Sequence, residues 1–253
     1  MRLDKLLSET DFGTRSQVKK LIRQGKVTVN EQVADAPQMQ VDPQTDHVVC
    51  EGKEVEYREF SYFLFYKPGG CVTARTDDTH KTVMDYVKEP IRNLSPVGRL
   101  DLDTEGLLLI TNDGALAHNL LSPAKHVSKT YEAVIDGCVT EDDVTAFREG
   151  LDIGDPRKTA PAELCIRQAG KTSQITVTIT EGRFHQVKRM FQAVGKEVLF
   201  LKRVRMGTLT LPEEMKPGEY RHLTEEEIQA LSVCTYKKAM EETDVKRDQG
   251  CPV

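Results

Sequence analysis

The sequence predicts an α+β protein with a mixed, mainly antiparallel sheet, preceded by a small N-terminal unit. Apolar strand-like segments and amphipathic helical segments follow one another without the regular alternation that a parallel α/β fold would show. Residues 1–57 already contain two helical patterns and two strand patterns, and they end in a polar segment. We therefore expect one domain over residues 1–57, a second over 60–233, and a loose polar tail over 236–253.

The N-terminal unit is predicted to begin with two helices. Thr14 and Gln17 have the spacing of a capping box at the start of the second helix, and Gly25 is placed to end it. Strands are predicted at Lys26–Asn30 and Asp46–Cys50. The apolar residues that give the two helices their periodicity are Leu3, Leu6, Leu7, Val18, Leu21 and Ile22.

The second part is predicted to follow a polar linker at Glu51–Arg58. It opens with the apolar strand Phe60–Tyr66, which ends at the turn signal Lys67–Gly70. Further strands are predicted at Leu107–Thr111, Lys129–Ile135, Ala162–Arg167 and Ser173–Thr180. Helices are predicted at Ala115–Leu121, Glu141–Glu149 and His185–Val194.

The charge of the chain is unevenly distributed. The formal net charge is −5, but residues 14–26 contain five bases and no acid, and residues 183–205 contain seven bases and one acid. Such clusters can bind a polyanion although the whole chain is acidic. The bases of the second helix lie largely off its apolar stripe, which fits either a solvated face or contact with phosphates. The absence of any acid favours phosphate contact.

The remaining composition excludes several classes of protein. No apolar run is long enough to span a membrane, and the N-terminus lacks the apolar core of a signal peptide, so we expect a cytoplasmic protein. The six cysteines form no Cys-x-x-Cys pair, which argues against a zinc site or a disulfide framework. We expect no metal.

The segment GRLDLDTEGLLLITNDG, residues 98–114, crowds four carboxylates around an apolar run. It resembles the start of a calcium-binding loop, but Asn112 stands where such a loop needs a bidentate glutamate. Turns account for part of this cluster. One turn is predicted from Asp103 to Gly106, and a second is predicted at Asp113, just before the helix Ala115–Leu121. Neither turn requires Asp101. An ionised Asp101 could serve as a reacting carboxylate if a cation lay close to it.

Several segments resemble, in order, the motifs of the pseudouridine synthases, in the branch named for ribosomal small subunit pseudouridine synthase A. Residues 1–50 resemble the S4-type RNA-binding domain, so the resemblance implies an S4-like domain followed by a pseudouridine synthase catalytic domain. The segments that resemble synthase motifs are Tyr66–Gly70, residues 98–114, Lys129–Tyr131, Glu181–Met190 and Pro217–Glu227.

The resemblance implies that the chain isomerises a uridine of ribosomal RNA to pseudouridine without a cofactor. Asp101 matches the catalytic aspartate, which would either attack the anomeric carbon or remove the 2′ proton. Tyr131 matches the active-site tyrosine, although a tyrosine packed in the core is an alternative on strand preference. Lys188 stands where much of the superfamily has arginine, and it would keep Asp101 ionised without the bidentate fork. Without the family match, Lys188 would be read as a solvated helix residue.

Further residues are expected to contact RNA. Arg99 would hold the opened RNA, although a salt bridge to Asp103 is the alternative. His185 and Gln186 would line the site, and a buried structural histidine is the alternative for the first. The other predicted RNA-binding residues are Arg15, Lys19, Lys20, Arg23, Arg183 and Arg189.

The expected partner is ribosomal RNA, most simply 16S rRNA within a small-subunit assembly intermediate, bound by a monomer. Three alternatives remain at this point. The chain could act on 23S rRNA, or it could be a non-catalytic RNA-binding or ribosome-assembly factor with the same fold. A glycosidase that uses a carboxylate pair is disfavoured, because the chain has no Trp and only 6% aromatic residues to stack on sugars.

Overall fold

The structure is a computed structural model that describes residues 1–10, 12–55, 57, 59–89 and 91–233. The chain divides into two compact units. The first comprises Met1–Ser61 and Lys88–Leu94, and the second comprises Tyr62–Val87 and the residues from Ser95 onward. The contiguous domain ranges expected from the sequence stay predictions, and the expected tail at 236–253 lies outside the described residues.

The first unit packs two helices against a small antiparallel sheet. Thr14 and Gln17 form the predicted capping box, in which the Thr14 hydroxyl accepts from the Gln17 amide and the Gln17 side chain accepts from the Thr14 amide. The elements are α1 Leu3–Glu9, α2 Arg15–Arg23, β1 Val27–Val29, β2 Gln32–Val33, β3 Val48–Cys50 and β4 Lys53–Glu54. The order of the strands in the sheet is β2-β1-β3-β4.

The predicted linker Glu51–Arg58 is therefore partly wrong, because its first half turns at Glu51 and Gly52 and returns as β4 against β3. Glu56 and Arg58 lie outside the described residues. The core of this unit contains the predicted apolar residues of both helices, with Leu3, Leu6 and Val18 almost fully buried. Burial of this shared stripe holds the two short helices together.

The second unit is built on one mixed sheet. Nine strands of the described residues take part: β5 Tyr62–Lys67, β6 Ser95–Pro96, β7 Glu105–Thr111, β8 Lys129–Asp136, β9 Glu163–Gln168, β10 Thr172–Ile179, β11 Glu197–Met206, β12 Leu209–Thr210 and β13 Tyr220–His222. Their order in the sheet is β13-β5-β7-β11-β8-β10-β9, with β12 beside β11 and β6 beside β7.

Helices cover this sheet and bury its apolar residues. The helices are α3 Gly114–Leu121, α4 Glu141–Glu149, α5 Gln186–Ala193 and a last helix over residues 225–233, with short 3₁₀ turns at Val83–Asp85 and Pro123–Lys125. One apolar cluster contains residues of α4 and α5, including Phe147 and Phe191, and a second contains residues of α3, including Leu116 and Leu120. The α+β class with a mixed, mainly antiparallel sheet is confirmed.

The strand β11 is the main element that the sequence did not predict. It lies at the centre of the sheet, antiparallel to β8 and parallel to β7, where Arg203 pairs with Gly106. Register shifts between Val198 and Phe200, and again between Arg203 and Arg205, break its alternation of buried and exposed residues. A strand interrupted in this way lacks the period of two by which strands are recognised.

Candidate active site

Asp101 lies in a tight turn that leads into β7. Gly98 enters the turn with a φ of +76°, and the Thr104 amide donates to the Asp101 carbonyl at 3.1 Å. The Thr73 hydroxyl donates to the Leu100 carbonyl at 2.8 Å and accepts from the Leu100 amide at 3.2 Å. The predicted turn at Asp103 to Gly106 is thus displaced by two residues, since β7 already begins at Glu105.

Lys67 stabilises this turn by hydrogen bonds to backbone carbonyls. Its side chain is fully buried at the end of β5, and its ammonium donates to the carbonyls of Leu102 at 3.2 Å, Thr104 at 2.8 Å and Pro68 at 3.1 Å. Burial lowers the pKa of Lys67. The sequence did not indicate a role for Lys67, although a lysine at the end of a strongly apolar strand is a visible signal.

Two basic side chains approach the Asp101 carboxylate. His185 Nε2 lies 3.6 Å from Asp101 Oδ1, and Lys188 Nζ lies 3.8 Å from Asp101 Oδ2. Lys188 makes its shorter contacts to the two carboxylate oxygens of Asp103, at 2.6 and 2.7 Å, and its hydrogen bond lowers the pKa of Asp103. Lys188 is therefore shared between two aspartates, whereas the sequence pointed to Asp101 alone.

The start of α5 presents His185 to the site. His185 takes a left-handed conformation with a φ of +47°, which is uncommon for a residue with a side chain. Its ring stacks on Phe184 with centroids 3.8 Å apart, and the Phe184 side chain is exposed. Gln186 is buried, accepts from the Arg183 amide and donates to Glu181, so it stabilises this corner.

A cavity of about 800 Å³ opens beside the Asp101 carboxylate, which is large enough for a nucleoside. Asp101, Tyr131 and Lys188 all line it, although they come from three distant parts of the chain. Cationic side chains outnumber carboxylates along its wall, which makes the cavity basic within an acidic chain. These cations are Arg75, Arg99, Lys129, Arg183, Lys188 and Arg203, and the carboxylates are Asp101 and Glu181.

One wall of the cavity carries Lys129, Tyr131 and Arg203. Lys129 and Tyr131 are alternate residues of β8 and so share a face, and Arg203 of β11 is the register partner of Tyr131. All three side chains are buried to at least nine-tenths, and the Lys129 ammonium donates to the Val127 carbonyl at 2.9 Å. Arg203 was not predicted from the sequence, because nothing in its local pattern indicates that its strand pairs with β7 and β8.

Two of the residues predicted to bind RNA have extensive protein contacts. Arg183 donates to the carbonyls of Arg157 and Lys158 and to Glu181. Arg189 donates to Asp155 at 2.6 Å and also contacts the Ile153 carbonyl. Both arginines therefore hold the loop at residues 152–158 against α5, and their contribution to RNA binding stays a prediction.

The other predicted cations are more accessible. Arg99 is exposed and forms no ion pair with any residue in the described ranges, so the alternative of a salt bridge to Asp103 is wrong. Asp103 is paired with Lys188 instead. On α2, Arg15, Lys20 and Arg23 are exposed, while the Lys19 ammonium lies 3.9 Å from Asp4.

The described residues contain neither a metal-binding cluster nor a membrane-spanning helix. Among residues 1–233 that the structure describes, no group of three His, Cys, Asp or Glu side chains is arranged to hold a metal ion. In the same part of the chain, every helix is too short or too polar to span a membrane. Four cysteines of this part, Cys50, Cys71, Cys138 and Cys165, are free thiols.

Comparison with known proteins agrees with the site. The family model for RNA pseudouridylate synthase matches residues 61–193, and the S4 domain model matches residues 1–47. An uncharacterized RNA pseudouridine synthase from Bacillus subtilis is 45% identical, with 92% of this chain and 98% of the relative covered. Ribosomal small subunit pseudouridine synthase A from Escherichia coli is 38% identical, with 91% of this chain and 100% of that protein covered.

A solved structure supports the same assignment. A crystal structure of a pseudouridylate synthase superimposes with a TM-score of 0.65 and 38% sequence identity, covering 91% of this chain and 99% of the other. The matched family region contains Asp101, Tyr131 and Lys188, and these side chains meet at one basic cavity. The chain is therefore a pseudouridine synthase of the RNA pseudouridylate synthase family that carries an N-terminal S4 domain.

Proposed function

We propose that this enzyme isomerises one uridine of 16S ribosomal RNA, using Asp101 as the reacting carboxylate and no cofactor. The observation that carries the proposal is the position of Asp101. Its carboxylate is 27% exposed at a basic cavity, with His185 and Lys188 within 4 Å. The ribosomal small subunit target is supported by relatives such as ribosomal small subunit pseudouridine synthase A from Vibrio cholerae, which is 37% identical over 91% of this chain.

The chemistry needs only groups that this site contains. The bond from N1 of uracil to C1′ breaks, a bond from C5 to C1′ forms, and the hydrogen on C5 is replaced by one on N1. No atom is gained or lost, and nothing is oxidised or reduced. An ionised Asp101 is needed whether it attacks C1′ or removes the 2′ proton, and the ammonium of Lys188, 3.8 Å away, complements its charge.

Tyr131 is placed to assist this rearrangement. Its ring forms part of the cavity wall, where it can stack on uracil once the base has left the RNA stack. Its hydroxyl can assist the proton transfer at C5. The ring also packs in the apolar core. A Tyr131→Phe variant keeps the ring and removes the hydroxyl, so it separates stacking from proton transfer.

We propose that the first unit sets the position of the RNA. Arg15, Lys20 and Arg23 on α2 offer exposed charges for phosphates, while the second unit supplies the chemistry. The substrate is a loop or single-stranded region, because A-form duplexes hide the base edges. We expect a cytoplasmic monomer that acts on a small-subunit assembly intermediate.

The experiment is carbodiimide mapping of pseudouridine in ribosomal RNA from a strain that lacks the gene. We expect one 16S position to lose its signal and to regain it on expression of the full chain. Loss of a 23S position instead would establish the alternative target. If every position keeps its signal while ribosome assembly is impaired, the chain acts as an assembly factor and the proposed function is wrong.

A second prediction concerns the ammonium shared by two aspartates. Lys188→Met removes the cation near Asp101 and is expected to lower kcat by about 10- to 100-fold. Asp103→Asn removes the negative charge and one of the two acceptor oxygens that Lys188 contacts more closely, but it leaves Lys188 beside Asp101. It should change kcat by less than about threefold and stability by less than about 1 kcal/mol, since Asp103 is largely exposed.

Steady-state kinetics and thermal unfolding of both variants provide the measurement. If both variants lose kcat equally, Lys188 acts through its contact with Asp103 and not through its proximity to Asp101.

A further inference from the structure

Arg203 lies in the interior with most of its hydrogen-bonding capacity unused. It is 2% exposed, and its Nε donates to the Leu107 carbonyl at 2.8 Å. Its Nη2 is fully buried, and within the described part of the chain neither Nη2 nor Nη1 has a hydrogen-bond partner. Leaving buried donors unpaired is costly, and the cost is greater for a charged group.

Lys129 is a second buried cation beside Arg203. It is 9% exposed, its one hydrogen bond goes to the Val127 carbonyl, and no carboxylate of the described residues pairs with it. Burial, and then the charge of Arg203, lower the pKa of Lys129 to about 8. Two neighbouring cations without a counter-charge repel each other and destabilise the fold, so a ligand is a better explanation than stability.

Both cations line the same cavity as Asp101, on the wall that also carries Tyr131. We propose that Arg203 and Lys129 form an oxygen-binding subsite for uracil, which stabilises the negative charge on the base when the C1′–N1 bond breaks. This inference rests on the proposed function and adds two residues that contact the reacting base.

The chemistry of the leaving group explains why cations are needed there. When the C1′–N1 bond breaks, its electron pair passes to N1 and spreads over the carbonyl oxygens O2 and O4. This holds whether Asp101 attacks C1′ or removes the 2′ proton, because the same bond breaks in both mechanisms. Donors fixed in a site of low polarity stabilise such a charge far better than water does.

A phosphate of the RNA is the other oxygen-rich group that two cations could bind. The burial of Arg203 and Lys129 favours the base, because a flipped nucleotide carries its base into the pocket while its phosphate stays with the strand. Tyr131, the register partner of Arg203, supplies a flat ring next to the two cations. Arg75 and Arg99, by contrast, are exposed at the same cavity and better suited to phosphates.

The test compares Arg203→Met with the unaltered enzyme on two RNAs, one with uridine and one with 5-fluorouridine at the target. Fluorine withdraws electrons and stabilises the uracil anion, so C1′–N1 cleavage then depends less on the protein. Fluorine on C5 blocks the last step, in which C5 loses its hydrogen, so the measured quantity on both RNAs is the single-turnover rate of C1′–N1 cleavage. We expect this rate on uridine to fall by about 100-fold or more. The loss on 5-fluorouridine should be clearly smaller, and RNA affinity should change by less than about threefold.

Arg167→Met is the matched control, because Arg167 lies on β9, is exposed, and is not part of the cavity wall. It should retain the activity of the unaltered enzyme on both RNAs. If Arg203→Met does not fold, Lys129→Met undergoes the same comparison. Arg203→Lys, which keeps the charge, should recover part of the lost rate.

Three results would overturn the inference. Equal losses on both RNAs with a lowered Tm would give Arg203 a structural role. A phosphate contact would be indicated if the cleavage rate were unchanged, RNA binding were weaker, and the slope of log binding constant against log salt concentration fell by about one. Unchanged kinetics would remove the substituted residue from the reaction and leave no two-cation subsite. Absence of turnover by the unaltered enzyme, on RNA that it binds, would overturn the proposed function itself.

Discussion

Replacing Asp101 with asparagine is expected to lower turnover by at least about 10⁴-fold, while RNA affinity changes by less than about threefold. Asparagine has nearly the same size, so the turn held by Lys67 and Thr73 should remain intact. Its amide can neither attack C1′ nor remove the 2′ proton, and its charge no longer complements Lys188. Single-turnover assays on ribosomal RNA, together with a binding titration, measure the two effects separately.

Asp113→Asn provides the matched control. Asp113 lies in the same acidic segment, but it caps α3 by accepting from the Leu116 amide at 2.9 Å, and it is not part of the cavity wall. Asparagine caps helices about as well as aspartate. This variant should keep normal turnover.

Two results for Asp101→Asn would contradict the prediction. Retention of activity would assign the reaction to another group, and loss of RNA binding by this variant would show that the Asp101 carboxylate acts in recognition.

Local signals made the first unit predictable from the sequence. The capping box of Thr14 and Gln17, the apolar spacing of α2 and the glycine at position 25 act within a few residues of one another. Physical chemistry at this range depends little on the rest of the fold. The same holds for Asp113 and α3. The turn of β3 into β4 was missed because its residues are polar and the strand is only two residues long.

The site could be predicted only in part, because it joins distant segments. The spacing of residues along the sequence did not indicate that Asp101 and Lys188 lie close together. That expectation came from the ordered motifs that the chain shares with the family. The register of β11 could not be inferred, since its irregularities hide the strand and its parallel pairing with β7 is not local. Arg203 was missed for this reason. The role of Lys67 was missed because its hydrogen bonds to the Asp101 turn join residues that lie at least 35 positions apart, although its place at the end of an apolar strand was visible.

Gly106→Ala is expected to lower the free energy of unfolding by at least about 3–4 kcal/mol, which is an exceptional loss for one methyl group. Gly106 has a φ of +106°, in a region that residues with side chains rarely occupy. An added Cβ would lie 2.2 Å from the Arg203 carbonyl oxygen and 2.7 Å from the Arg203 amide nitrogen. These are backbone atoms at the centre of the sheet, so they cannot move without breaking its hydrogen bonds.

Gly114→Ala is the control for this change, because an added Cβ at the start of α3 would meet no atom within 4 Å. Alanine is favoured over glycine in helices, so stability should stay the same or rise by up to about 1 kcal/mol. Urea unfolding followed by circular dichroism measures both variants. A Gly106→Ala protein within about 1 kcal/mol of the unaltered enzyme would show that β7 and β11 can separate at this point without cost to the fold.

The effect of Gly106→Ala should also extend to catalysis. Gly106 follows the Asp101 turn directly, and its partner Arg203 lies on the strand that follows α5. The close approach of these two backbones therefore links the segment that carries Asp101 to the segment that carries Lys188. A protein in which β7 and β11 have moved apart should lose turnover even at temperatures where it remains folded, because Asp101 and its cations would no longer share one cavity.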